Sequence, residues 1–298
     1  MPKLLRLLLL LPIITISASA QTIIDIDKGG NVRSKTLQDY DREAHNQTAK
    51  ADSLHYADCL KRAFSALHCD SLTIAKKHFK EALQLRPKAE GNYVIEQHLG
   101  EIAEVEGRLD EAEQHYNAAL RQKPELHHIR MARAVVELQL HHFLEAKNDC
   151  DALLNLTPTK EARTRLLFIR ASALIGMRLN HEARQDLEAL CLLDPKNENA
   201  PIMLALSLHE EGRSQEAIER LTHHISVNKG NVDALALRAT IYSALNLHDL
   251  ALLDYDAAIH LAPQSAALYI ERAQCLEQLG KHSLAEKDRL KARTLSRK

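Results

Sequence analysis

Seven alanines, Ala75, Ala112, Ala146, Ala183, Ala217, Ala251 and Ala285, recur at intervals of 37, 34, 37, 34, 34 and 34 residues. A fixed period in this range means one supersecondary unit stacked again and again, each copy burying its apolar face on its neighbours. This constrains the 298-residue chain more than its length does. A stack has no single core to outgrow, and it presents an extended surface to a partner.

Placing the recurrent alanine at position 20 of a 34-residue unit puts the unit starts at Tyr56, Tyr93, His127, Thr164, Glu198, Val232 and Ala266. Position 32 is then Pro87, Pro124, Pro158, Pro195 and Pro263, with Lys229 in the fifth unit, so five of the eight prolines share one position. Proline there ends a helix, because it lacks an N–H and pushes the preceding residue out of α geometry. Position 8 is Ala63, Gly100, Ala134, Ala171, Ala205, Ala239 and Ala273. Small residues at 8 and 20 let two helices cross closely. Position 15 carries Gly107, Gly212, Gly280 and Asn246, which tolerate the left-handed backbone that closes a helix, and also Asp70, His141 and Arg178. In the sixth unit Leu235, Ala239, Tyr242 and Leu245, then Ala251, Tyr255, Ala258 and Leu261, step at helical spacing. Each unit reads as a helix, a tight turn and an antiparallel helix, with neither helix long enough to be stable alone.

With a small residue at 8, alanine at 20, an aromatic or leucine at most copies of 24 and proline at 32, the chain resembles a run of tetratricopeptide repeats from Tyr56 to about Ala292. It departs from that pattern at position 4, which is never tryptophan here, at Lys229 and at Arg289. The resemblance implies an all-α fold, a right-handed α-solenoid of about seven helix-turn-helix repeats. It also implies a concave groove lined by positions 2, 5, 9 and 12 of each first helix. The candidate partner-binding residues are Met131, Val135 and Leu138 in the third repeat, Phe168, Ser172 and Ile175 in the fourth, and Ile202 and Leu206 in the fifth. They make a largely apolar strip, with Gln97, Glu101 and Glu104 to one side and Ile270, Gln274 and Glu277 to the other. Such a strip suits an extended or helical partner segment. Family members that clamp a C-terminal carboxylate use Lys, Arg and Asn; the central repeats offer only Arg165 and Asn199.

One covariation is internal to the chain. Position 7 is Arg133, Arg170, Arg238 and Arg272 in four repeats, and the same four carry Asp149, Asp186, Asp254 and Asp288 at position 23. The second and fifth repeats have Leu99 and Leu204 at 7, with His115 and Arg220 at 23; the first has Arg62 and His78. The pattern predicts an Arg–Asp pair joining the two helices of each of those four repeats. The two 37-residue intervals place three extra residues shortly after Pro87 and Pro158, where a loop can absorb them.

The N-terminus reads as a separate object. A basic start, an apolar run from Leu7 to Ile16, and Ala18-Ser19-Ala20 before Gln21 give a signal peptide over 1–20. A polar leader follows over 21–35 and a capping helix over 36–55, which is either a cap or part of a long first helix; the repeats occupy 56–298. The mature protein is expected to be exported, periplasmic or otherwise extracytoplasmic, with no membrane insertion after cleavage. The five cysteines form no CxxC pair and read as small core residues.

A formal net charge of −1, 4% aromatics and no tryptophan give neither the basic footprint nor the stacking platforms of a nucleic-acid binder. No GxSxG, P-loop, HExxH or dinucleotide glycine motif is present. His141, His142, His181, His248 and His282 fall in or near the interhelix turns and read as exposed turn residues. The expectation is a non-enzymatic scaffold that binds a protein or peptide in its groove, with no cofactor, no metal and no nucleic acid. The alternatives are an envelope or secretion assembly factor that binds by its outer face, and a metal-binding carrier or enzyme subunit.

Overall fold

The computed structural model describes residues 47–296. The expected signal peptide, the leader and the first part of the capping segment lie outside the described residues. Within them are fourteen helices: α1 (Gln47–His68), α2 (Leu72–Leu85), α3 (Asn92–Val105), α4 (Leu109–Gln122), α5 (His127–Gln139), α6 (Phe143–Leu154), α7 (Lys160–Gly176), α8 (Asn180–Leu193), α9 (Asn199–Glu210), α10 (Ser214–Val227), α11 (Val232–Ala244), α12 (His248–Leu261), α13 (Ala266–Gln278) and α14 (His282–Leu295). They form seven consecutive helix pairs. The chain divides into two blocks, one ending at Leu153 and one beginning at Leu154. In each block the second helix of one pair packs on the first helix of the next.

All seven recurrent alanines are fully buried, at 0% exposure. Position 8 is buried in every repeat as well. At Gly100 the reason glycine stands in place of alanine is visible: an added Cβ would lie 2.5 Å from Cε1 of the Tyr116 ring. The Tyr116 hydroxyl in turn donates to Glu104 at 2.9 Å.

Position 15 adopts positive φ in all seven repeats: Gly107, Gly212 and Gly280, but also Asp70 (53°), His141 (63°), Arg178 (61°) and Asn246 (60°). The next backbone N–H reaches back to a carbonyl five residues earlier each time, as in Arg108 to Ala103 at 2.8 Å and Leu179 to Leu174 at 2.9 Å. This is the Schellman closure. The closure does not need glycine, since four repeats adopt it with other residues, Arg178 the least suited among them.

The prolines act as expected in four repeats. Arg86, Lys123, Asp194 and Ala262, each just before a proline, have φ between −128° and −144° and ψ between 67° and 84°. Asn228, before Lys229, takes the same geometry, so that break does not need the proline.

From Gln47 on, the capping segment is part of a long first helix, the second of its two readings. Two sequence expectations are corrected. The second three-residue insertion is not absorbed in a loop. It lengthens α7, which begins at Lys160 with Thr159 Oγ1 accepting from the Ala162 N–H at 3.3 Å. The cysteines are all free thiols, but Cys69 is exposed and Cys191 half-buried; only Cys59, Cys150 and Cys275 sit in the core. The stripe of the sixth repeat also runs out at its ends, where Leu245 and Leu261 are exposed.

Candidate interaction face and interhelix clasps

The four arginines at position 7 reach across to their own second helices. Arg133 donates from Nε to Asp149 Oδ2 at 2.7 Å and from Nη2 to Oδ1 at 2.6 Å. Arg170 holds Asp186 at 2.8 and 2.6 Å, Arg238 holds Asp254 at 2.8 and 2.7 Å, and Arg272 holds Asp288 at 2.7 Å twice. The fork-to-carboxylate geometry is the strong form of this interaction. All four aspartates are buried, where a carboxylate without a partner would be costly.

A third arm of the clasp was not legible. Nη1 of Arg133 donates to Asn117 at 2.6 Å, that of Arg238 to Thr222 at 2.9 Å, and that of Arg272 to Asp256 at 2.6 Å. Each acceptor lies sixteen residues earlier, on the second helix of the preceding repeat. One guanidinium therefore ties three helices. The recurrence of Asn, Thr or Asp at position 25 was the available signal, hidden by its mixed residue types.

The second repeat joins its two helices with a different pair, placed at positions 4 and 23. Glu96, at position 4 of the first helix, meets His115 Nδ1 at 2.6 Å. In the third repeat Arg130, also at position 4, adds a bond to Asp149 at 3.1 Å. Beside it Glu137 is buried, with Oε1 3.4 Å from Arg133 and Oε2 without a partner. Burial and the neighbouring Asp149 charge push its carboxyl up to about 8, and Arg133, already engaged by Asp149 and Asn117, offsets little of that.

The proposed groove residues divide by depth. In the N-terminal block Leu138 is buried, while Met131 and Val135 are half-buried. In the C-terminal block Phe168, Ser172 and Ile202 are buried, and Ile175 and Leu206 are half-buried. The Ser172 hydroxyl is spent on the Phe168 carbonyl at 2.8 Å. Phe168 and Ile202 are thus core residues, and in the C-terminal block Ile175 and Leu206 are the part of the strip a partner can reach. Arg165 and Asn199 are exposed.

The polar flank in the second repeat is a network. Glu101 accepts from Gln97 Nε2 at 2.9 Å and sits 2.7 Å from His98 Nδ1. Burial alone would raise Glu101, but the hydrogen bonds and charge around it hold it below the usual range. His98 is buried between Phe64, edge-on at 5.7 Å, and Phe79, stacked at 5.8 Å.

The first repeat has neither clasp. Its Arg62 pairs with Asp58 on the same helix at 2.8 Å, on the surface. Instead His55 and Cys59 of α1 face Glu81 of α2, with their ligand atoms all within 4.8 Å of one another. Among the described residues this is the His/Cys/acid set close enough to hold an ion, and none of the five turn histidines belongs to it. Its signal was the pair of helical spacings, His55 to Cys59 and His78 to Glu81, which a search for linear zinc motifs passes over.

A family model for the tetratricopeptide repeat matches residues 72–127, from α2 through α4. A tetratricopeptide repeat protein from Parabacteroides merdae is 23% identical, with 81% of this chain and 93% of that chain covered and a TM-score of 0.67. The fold is that of tetratricopeptide repeats. A thermophilic repeat protein from Thermus thermophilus is 19% identical, with 62% and 98% covered and a TM-score of 0.49. None of the curated proteins matches the chain. No helix among the described residues is long and apolar enough to cross a membrane.

Proposed function

We propose that this protein is a non-enzymatic scaffold that receives a protein or peptide segment on the first-helix face of its repeats. The observation that carries the reading lies in the C-terminal block. There α9, α11 and α13, all first helices, touch in sequence, and half-buried Leu206 and exposed Ile270 stand at groove positions on α9 and α13. Ile175, at another groove position on α7, is half-buried as well. Apolar side chains held at intermediate depth on a rigid helical face suit burial against an incoming chain. Ile175→Glu and Leu206→Glu test this better than changes at Phe168 or Ile202, which would unfold the repeat. Peptides selected from a display library on the wild-type protein should lose binding to both variants while helicity and melting are kept. Binding unchanged in both variants overturns the groove reading.

The outer-face alternative rests on a different observation. Leu192, Leu253 and Leu290, on the second helices α8, α12 and α14, are 84%, 65% and 59% exposed. Partner capture lost in Leu253→Glu and kept in Leu206→Glu favours that face. Export is part of the proposal, since residues 1–20 have the layout of a cleavable signal. N-terminal sequencing of the mature chain should begin at Gln21; a chain beginning at Met1 overturns it.

A further inference from the structure

We propose that His55, Cys59 and Glu81 form a binding site for a zinc ion that joins the two helices of the first repeat. His55 and Cys59 are one helical turn apart on α1, so both side chains leave the same face. Glu81 comes from α2, the helix packed antiparallel against it. The His55 Nε2 to Glu81 Oε1 separation is 3.1 Å. Metal–ligand bonds of about 2.0–2.3 Å in a tetrahedral shell set neighbouring donors roughly 3.3–3.8 Å apart, so the rest of the set closes onto an ion with a shift of about 1 Å. One imidazole nitrogen, one thiolate and one carboxylate make a borderline-soft donor set, which favours zinc over magnesium or calcium.

The surroundings fit a site rather than a chance meeting. Cys59 is buried at 2% exposure, while His55 is exposed, so the sulfur is shielded and the ion has a way in from solvent. His78 Nδ1 lies 3.3 Å from Glu81 Oε2, where it holds the carboxylate as outer-shell partners of metal ligands do. Three protein ligands leave a fourth position for water. As the Zn–S bond forms, the thiol proton leaves to solvent.

Position in the repeat points the same way. Cys59 occupies position 4 and His78 position 23, the places where Glu96 meets His115 in the second repeat and Arg130 meets Asp149 in the third. The first repeat thus carries one metal donor and its outer-shell histidine where its neighbours join the same two helices by a direct side-chain pair.

The test uses the purified full chain, stripped of metal and titrated with zinc chloride. One tight zinc ion per chain is expected, together with a raised melting temperature. The cobalt-loaded protein should show near-ultraviolet thiolate charge-transfer absorption. Cys59→Ser should abolish that absorption and the tight event, and His78→Gln should weaken zinc binding by about 10–100-fold. Should Cys59→Ser lose helicity, the surface change His55→Gln gives the same reading on a folded chain. Absence of a tight event in the wild type, or zinc binding unchanged in His55→Gln and Cys59→Ser, overturns the site.

Discussion

In the sixth repeat Arg238 grips the buried Asp254 with two bonds and Thr222 of the preceding helix with a third. In the first repeat the same positions, 7 and 23, carry Arg62 and His78, whose partners lie elsewhere: Asp58 one turn back, and Glu81. The backbone is alike in both, with a buried alanine at position 20 and a left-handed residue at 15. The fold therefore depends on the small residues and the turn, and the polar link between the helices is a separate layer. Four repeats fill it with Arg–Asp and the second with Glu–His, the fifth has Leu204 in place of the position-7 arginine, and the first sets a cysteine and histidines beside Glu81.

The largest expected effect breaks this comparison directly. Asp254→Ala strands a half-buried guanidinium and should cost about 3 kcal/mol in urea denaturation, whereas Arg62→Ala, which removes only a surface pair, should cost about 0.5 kcal/mol or less. Equal losses would mean that the clasp contributes no more than a surface ion pair.

Next in size is Gly100→Ala. The new methyl meets the Tyr116 ring, and overpacking of this kind costs about 1–3 kcal/mol. The six other repeats carry alanine at the same position. A neutral result would mean that Tyr116 swings away, and its hydroxyl bond to Glu104 should then be lost, as read by the tyrosine's ultraviolet titration.

Glu137 sharpens the contrast within the third repeat. Its carboxyl is raised in the fold from 4.5 to about 8, so between those values the folded chain holds a proton that the unfolded chain has released. Stability from this group is full below pH 4.5 and is lost as pH rises through 8, at a slope of about 1.4 kcal/mol per pH unit inside the window. Glu137→Gln should remove that slope and stabilise the protein at pH 8 relative to wild type. Parallel pH profiles for the two proteins would show that the carboxylate stays ionised.

The smallest effect concerns the turns. Arg178 holds φ of 61° where other repeats place glycine, so Arg178→Gly should gain up to about 1 kcal/mol in thermal or urea unfolding. A loss would show that the arginine side chain contributes more than the backbone strain costs.

Most of the fold was legible because it is written seven times. The alanines, the prolines and the glycines each mark a backbone requirement, and repetition separates the mark from noise. The Arg–Asp link was legible for the same reason, since Arg133 and Asp149 vary together with their counterparts. What occurs once was not: Glu137, a buried acid at a core position, and His98 between two phenylalanines follow no period. The depth of the groove residues was also hidden. Phe168 and Ile175 share a helix and a polarity, but only three-dimensional packing buries the first and leaves the second within reach. The His55, Cys59 and Glu81 set escaped because only His55 and Cys59 share a helical spacing, and Glu81 joins them from a second helix.

The most direct measurement of the clasp is a double-mutant cycle between Arg238 and Asp254, using Arg238→Met and Asp254→Asn and urea denaturation, beside the same cycle for Arg62 and Asp58. Coupling of about 1.5–3 kcal/mol in the sixth repeat and about 0.5 kcal/mol or less in the first is the predicted result. Coupling near zero for Arg238 and Asp254 would contradict the claim that the paired positions hold the helices together.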